Sequence, residues 1–128
     1  MNENSVITKT RRRKLCMAAS DPEKPLAVIT HVAFGNGGVN ESGEPLVPLE
    51  TQTALNRELA RYEVESVTYP DETTARYAVT IPQNELVGGE INEAALVDSA
   101  GDVVAIKNMY TKKKDEDVSF TFEFDDNF

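Results

Sequence analysis

Few side chains in this sequence have the chemistry of a nucleophile, a general base or a soft metal ligand. His31 is the single histidine and Cys16 the single cysteine. His31 lies inside the apolar run "ITHVAF", with no acidic or thiol residue within four positions. A base or ligand there needs partners delivered by the fold, so it reads as a histidine packed in or beside a core. Cys16 follows Arg11, Arg12, Arg13 and Lys14, and nearby cations lower a thiol pKa. It reads nonetheless as an inert, partly buried thiol. One cysteine permits no intrachain disulfide, and no Cys/His spacing supplies a zinc site. With 22 carboxylates in 128 residues, chance acid pairs are expected. No Ser/His/Asp order or Cys/His pairing can be assembled from them. The reading is of a non-enzymatic chain with no catalytic residues, no cofactor and no metal.

The cluster Gly35, Asn36, Gly37, Gly38 offers backbone N–H groups that suit an anion. A phosphate loop requires G-x-x-x-x-G-K, then Ser or Thr, with a helix starting at once, and neither occurs here. These glycines, with Gly88 and Gly89, are expected to serve backbone angles of positive φ that a side chain obstructs.

Charge is unevenly spread. Lys9, Arg11, Arg12, Arg13 and Lys14 stand against Glu3 in the first fourteen residues, a local +4. The whole chain carries −9, so the remainder carries −13. Such a body repels a phosphate backbone, which argues against nucleic acid as the main partner. The run "RRRK" reads as a solvated helical turn, or as a docking patch for an acidic protein surface, another copy of this chain included. No apolar stretch approaches the ~20 residues needed to cross a bilayer, and "TKTRRRKLCMAASD" lacks the apolar segment of a secretory signal. A soluble chain without membrane insertion is expected.

The positioning elements follow from periodicity. At 128 residues and 40% hydrophobic content, one domain over residues 1–128 with a single core is expected. Thr8 or Thr10 caps a helix over about residues 9 to 19, with Leu15, Ala18 and Ala19 as a small apolar face. The cations in its opening turns oppose the helix dipole, so tertiary contacts must hold it or its charge is used. "LAVITHVAF" reads as a strand covered on both faces, and "GNGGVNESGEPLVP" as a long loop that is functional or packed. In "TALNRELARY", Leu55, Leu59 and Tyr62 at i, i+4 and i+7 predict a second helix. "YEVESVTYP" and "TARYAVTIP" around "DE" predict one hairpin, and the strands flanking "DSAGD" a second. In "VSFTFEFDD", Val118, Phe120, Phe122 and Phe124 alternate with polar residues, predicting a strand with a charged outer face. The sum is an α+β fold: a mainly antiparallel sheet of five or six strands with two short helices packed on one side.

Taken in order, "ITK…KLCMAA", "ITHVAFGNGG", "LNRELARY", "YAVTIP", "VGGEINEAALVDSAGDVVAIKNM" and "YTKKK" resemble the N-terminal domain of the tail-collar fibre proteins of P2-like phages. The resemblance spans about residues 7 to 114. It implies a structural role in the virion tail or a phage-tail-like particle, made in the bacterial cytoplasm. The implied partners are a baseplate protein and a fibre or receptor-binding protein, with the domain as anchor and a homotrimer as the assembly. Arg11 stands where that family usually has glycine, Asn36 where G-D-G has its acid, and Asn92 and Ala95 at its arginine and glycine places. The chain ends soon after its last predicted strand, which suggests an adapter or stub carrying a separate fibre. Arg61 and Glu93 match the family's helix arginine and its strand glutamate, and are expected to pair across a helix–sheet contact, with Glu58 competing. The basic first helix, the glycine loop and the acidic last strand are the expected contact surfaces. The alternative function is a stand-alone module binding a small ligand or glycan beside the glycine loop.

Overall fold

A computed structural model of the chain describes residues 4–115 and 119–128. The elements run β1 (Ser5–Ile7), α1 (Lys9–Ser20), β2 (Ile29–Gly35), β3 (Glu58–Glu63), β4 (Ser66–Asp71), β5 (Thr74–Ile81), β6 (Glu90–Asp98), β7 (Val103–Lys113) and β8 (Phe120–Asn127). They form two antiparallel sheets, one ordered β1-β7-β6-β2-β3 and the other β4-β5-β8. The expectation of two helices on one sheet of five or six strands is corrected accordingly. Among the described residues there is one helix, and eight strands divide between two sheets packed face to face.

The missing helix has a definite cause. "LNRELARY" is rich in strong helix formers, but residues 58 to 63 pair along β2 in the register Tyr62↔Val32, Arg61↔Ala33 and Ala60↔Phe34. Pairing with an otherwise open edge of β2 outweighs an intrinsic preference of a few tenths of a kcal/mol per residue. The spacing of Leu55, Leu59 and Tyr62 is coincidental. Leu55 is buried on one face of the large sheet, Tyr62 packs on the other, and Leu59 is exposed.

Alternation explains the small sheet. Ala75, Val79 and Ile81 of β5 are buried, as are Phe122 and Phe124 of β8, and β5 pairs with β8 from Thr74↔Asn127 to Ile81↔Phe120. Val118 lies outside the described residues. The hairpins expected around residues 72–73 and 99–102 form as β4–β5 and β6–β7.

The main core lies between the sheets, where Val32, Phe34, Leu96 and Val104 meet Val79, Ile81, Phe122 and Phe124. Phe34 meets Phe122 edge to face with ring centroids 5.3 Å apart, a geometry worth ~0.5–1.5 kcal/mol beyond the buried area. Ala33, Leu55, Ala95, Val97, Val103 and Ile106 form a second cluster on the opposite face of the large sheet. β2 and β6 are thus covered on both sides, which is why their sequences do not alternate.

Residues 58 to 71 form a corner. β3 lies in the large sheet; then the Val64 N–H donates to the Thr30 carbonyl (2.9 Å) and the Glu65 N–H to the Ala78 carbonyl (2.8 Å). From there the chain continues as β4 of the small sheet, one backbone serving both layers.

Phe122→Ala is expected to lower stability by about 3–5 kcal/mol, and Leu59→Ala by under about 1 kcal/mol, read from urea midpoints. A large loss at Leu59 would restore a helix packed on the sheet and contradict β3.

Candidate docking site at the glycine corner

The long connection from β2 to β3 leaves the large sheet at Gly37 and returns at Arg57. Glu93, in β6, clasps both feet. Its buried carboxylate accepts the Gly37 N–H (2.9 Å) and Arg57 N–H (2.8 Å) on Oε2, and the Asn56 N–H (2.9 Å) on Oε1. A carboxylate with several peptide donors needs no side-chain cation to be stable when buried. The expected Arg61–Glu93 pair does not form. β2 lies between β3 and β6, and Arg61 instead pairs with Glu58 (2.7 Å), the partner named as its competitor.

The glycines are required by contact and not, for the most part, by dihedral angle. Gly35, Gly37, Gly38 and Gly89 do not have positive φ, contrary to expectation; Gly88 does, at +73°. A Cβ on Gly35 would collide with the Arg57 carbonyl and the Glu93 carboxylate, and one on Gly38 with the Asn92 carbonyl. On Gly37 it would come 2.7 Å from Cβ of Asn56, and on Gly89 2.9 Å from the Leu86 carbonyl oxygen. Asn92 adds a second clasp, accepting the Gly38 N–H on Oδ1 (2.7 Å), and Asn108 Nδ2 donates to the Leu46 carbonyl (2.9 Å). At the other corner the Gly88 N–H donates to the Lys114 carbonyl (2.8 Å), while the buried Lys114 ammonium donates to the Gln83 carbonyl (2.8 Å).

The loop held in this way runs beside α1. The Lys9 N–H donates to the Glu50 carbonyl (2.7 Å), and the Arg12 guanidinium meets the Glu50 carboxylate (2.9 Å). Val47 and Leu49 are 64% and 61% exposed on the loop whose Glu50 meets Arg12. The loop thus presents two exposed apolar side chains beside the Arg12–Glu50 ion pair.

α1 itself is held by polar contacts. Arg11 is its single buried residue. Thr8 caps it, accepting the Arg11 N–H (3.3 Å) while its hydroxyl donates to the Val103 carbonyl (2.9 Å). Arg11 crosses to the small sheet and meets Asp126 at 2.8 Å, with the two side chains 4% and 1% exposed. Asp126 Oδ1 is buried with no hydrogen-bond partner among the described residues. Lys14 bridges Asp98 (2.6 Å) and Asp102 (2.7 Å). Burial pushes the Asp98 carboxyl up, but Lys14 and the N–H groups of Asp102 and Ala100 prevail and hold it below the usual carboxylate range. Burial opposes the Lys14 ammonium, but its bonds to Asp102 and Asp98 prevail and raise it above the usual lysine range.

The remaining candidates are dispersed. Cys16 is exposed on α1, correcting the expectation of a partly buried thiol. His31 is half-buried in β2 with Nδ1 2.9 Å from Thr30 Oγ1. Among the described residues no group of three or more His, Cys, Asp or Glu is placed to hold a metal ion, and no helix is long and apolar enough to cross a membrane. Sequence reasoning passed over Asp126, although it shares the even-numbered, inward parity of Phe120, Phe122 and Phe124, where a charge must find a partner.

The family model of the phage tail-collar fibre protein, N-terminal region, matches residues 1–121. The chain belongs to that family. Comparison with curated proteins and with solved structures returned no match. As a tail-collar fibre domain it is a structural component of a phage tail, and its glycine corner and polar-anchored helix are to be read in that setting.

Two outcomes follow from the anchoring of α1. Arg11→Met is expected to cost about 3–5 kcal/mol by stranding the Asp126 carboxylate, and Arg11→Met with Asp126→Leu to recover most of that loss, measured by urea unfolding. The Lys14–Asp98 contribution is complete above about pH 4 and below about pH 10. It is lost as pH falls through the lowered Asp98 pKa, or rises through the raised Lys14 pKa. Lys14→Met should therefore flatten both limbs of a plot of urea midpoint against pH.

Proposed function

We propose that residues 1–128 act as one attachment domain that joins a fibre or receptor-binding protein to the tail baseplate, without catalysis or a cofactor. The observation that carries this reading is the surface made by exposed Val47 and Leu49 on the loop whose Glu50 pairs with Arg12 of α1. An apolar centre with a charged rim is how docking surfaces are composed, and here the clasp of Glu93 keeps the loop that presents it in one conformation. Rigid presentation limits the ordering entropy lost on association. The cations of α1 also suit an acidic partner surface, with faster encounter at low salt. Three copies per attachment site, in a particle assembled in the bacterial cytoplasm, complete the proposal on the strength of the family resemblance.

The alternative, a ligand module with its pocket beside the glycine loop, has little support. Three well-formed cavities among the described residues, of about 390, 570 and 360 Å³, are lined by residues outside 35–48.

Val47→Asp with Leu49→Asp is expected to reduce the copies retained on purified tail particles by about tenfold or more, the equivalent of ~1.4 kcal/mol. The melting temperature of the isolated chain should stay unchanged, because both side chains are exposed. Full retention on particles would refute the assignment of this surface.

A further inference from the structure

The corner at residues 63 to 66 leaves an opening in the sandwich. Where β3 departs from β2 to become β4, the start of β2 and the outer edge of β4 separate, and two adjoining grooves lie between them. One, of about 570 Å³, is lined at one end by His31, Glu63 and Glu65; the other, of about 360 Å³, by Val28, Tyr69, Tyr77 and Phe128. Ile29 and Val67 line both, so the two grooves are continuous. Val67 and Tyr77 are register partners facing the inter-sheet side, yet the large sheet does not reach over β4. Tyr69 is consequently 75% and Val28 68% exposed.

β4 is the outermost strand of its sheet, pairing only with β5 among the described residues, and all six of its residues are exposed. Native edges are usually blunted by inward charges, bulges or cover. This one has a register shift between Thr68 and Asp71 and Pro70 near its end, but no inward charge, and it turns Val67 and Tyr69 toward the groove. An edge with unpaired backbone groups along an apolar trough is the arrangement that accepts an added strand, the backbone giving affinity and the trough taking alternate side chains.

Charge selects the occupant. Glu63 and Glu65 stand before β4, and Asp71 and Glu72 at its far end. Two copies paired antiparallel through β4 would set Glu65 of one against Glu72 of the other at both ends, and like charges opposite one another are destabilising. A strand with basic ends meets complementary charge in either direction.

We propose that this groove receives an extended, alternately apolar segment of another tail polypeptide, flanked by basic residues and added as a fourth strand on the open edge of β4. The proposal rests on the attachment reading only in naming the partner as a tail polypeptide. It is tested on the isolated chain, so its outcome is separable from particle retention.

The probe is the peptide acetyl-Lys-Thr-Val-Thr-Phe-Thr-Val-Lys-amide, titrated to about 1 mM by calorimetry, with amide hydrogen exchange read residue by residue. Saturable binding is expected, with exchange along Ser66–Tyr69 slowed by about tenfold or more. The same peptide with Glu at both ends, or the Val67→Asp chain, should bind at least about tenfold more weakly. Absence of saturation, unchanged exchange along Ser66–Tyr69, or equal affinity for the Glu-ended peptide would each overturn the proposal. So would a dimer of the chain that Val67→Asp dissolves, since it would place a second copy in the groove.

Discussion

One carboxylate holds together the most irregular part of this molecule. Glu93 sits buried in β6, between the cross-strand partners Gly35 and Asn108, and accepts peptide N–H groups from both feet of the connection between β2 and β3. Its position demands close approach, and close approach demands glycine: a Cβ on Gly35 would occupy the space of the carboxylate itself. Deleting the carboxylate would strip the acceptor from the N–H groups of Gly37, Asn56 and Arg57, a loss of about 1–3 kcal/mol for a donor that stays out of water. The loop, the exposed Val47 and Leu49 that it presents, and the seat of α1 beside Glu50 all follow from this clasp.

The second organising contact is the pair formed by Arg11 and Asp126. α1 has almost no apolar face to bury; Met17, Cys16 and Ala19 are exposed. The helix is therefore fastened by a threonine cap, a buried ion pair and a lysine bridging two aspartates, interactions whose strength depends on geometry more than on area. This leaves the remaining cations free of packing duties. Lys9, Arg12 and Arg13 stay at the surface, where they shape the local potential, Arg12 partly offset by Glu50.

Much of the fold was legible wherever side-chain parity was clean. β5 and β8 announce themselves by alternation, both tight hairpins by their turn residues, and the helix start by Thr8 or Thr10, of which Thr8 is the cap. The corner strand was not legible, because "LNRELARY" carries strong helical propensity and its pairing with β2 is a tertiary fact. The clasp was hidden for another reason. Its partners are backbone N–H groups, which exist at almost every position and leave no mark in the sequence, so the eye goes to Arg61 as the obvious counter-charge. Gly35, Gly37 and Gly38 were recognised as structural, but for dihedral freedom when the actual need is space. Asp126 was readable in principle from its place in the phenylalanine series. The family assignment drew on ordered blocks of sequence and survived the error in secondary structure, since blocks align whether or not their conformation is understood.

The strand that passes from one sheet into the other has a mechanical side. Layers that meet only through side chains can be sheared apart by sliding, whereas residues 58 to 71 run unbroken through both. Tension arriving at one layer here is conveyed to the next along peptide bonds, leaving the aromatic contacts around Phe34 to resist compression and twist.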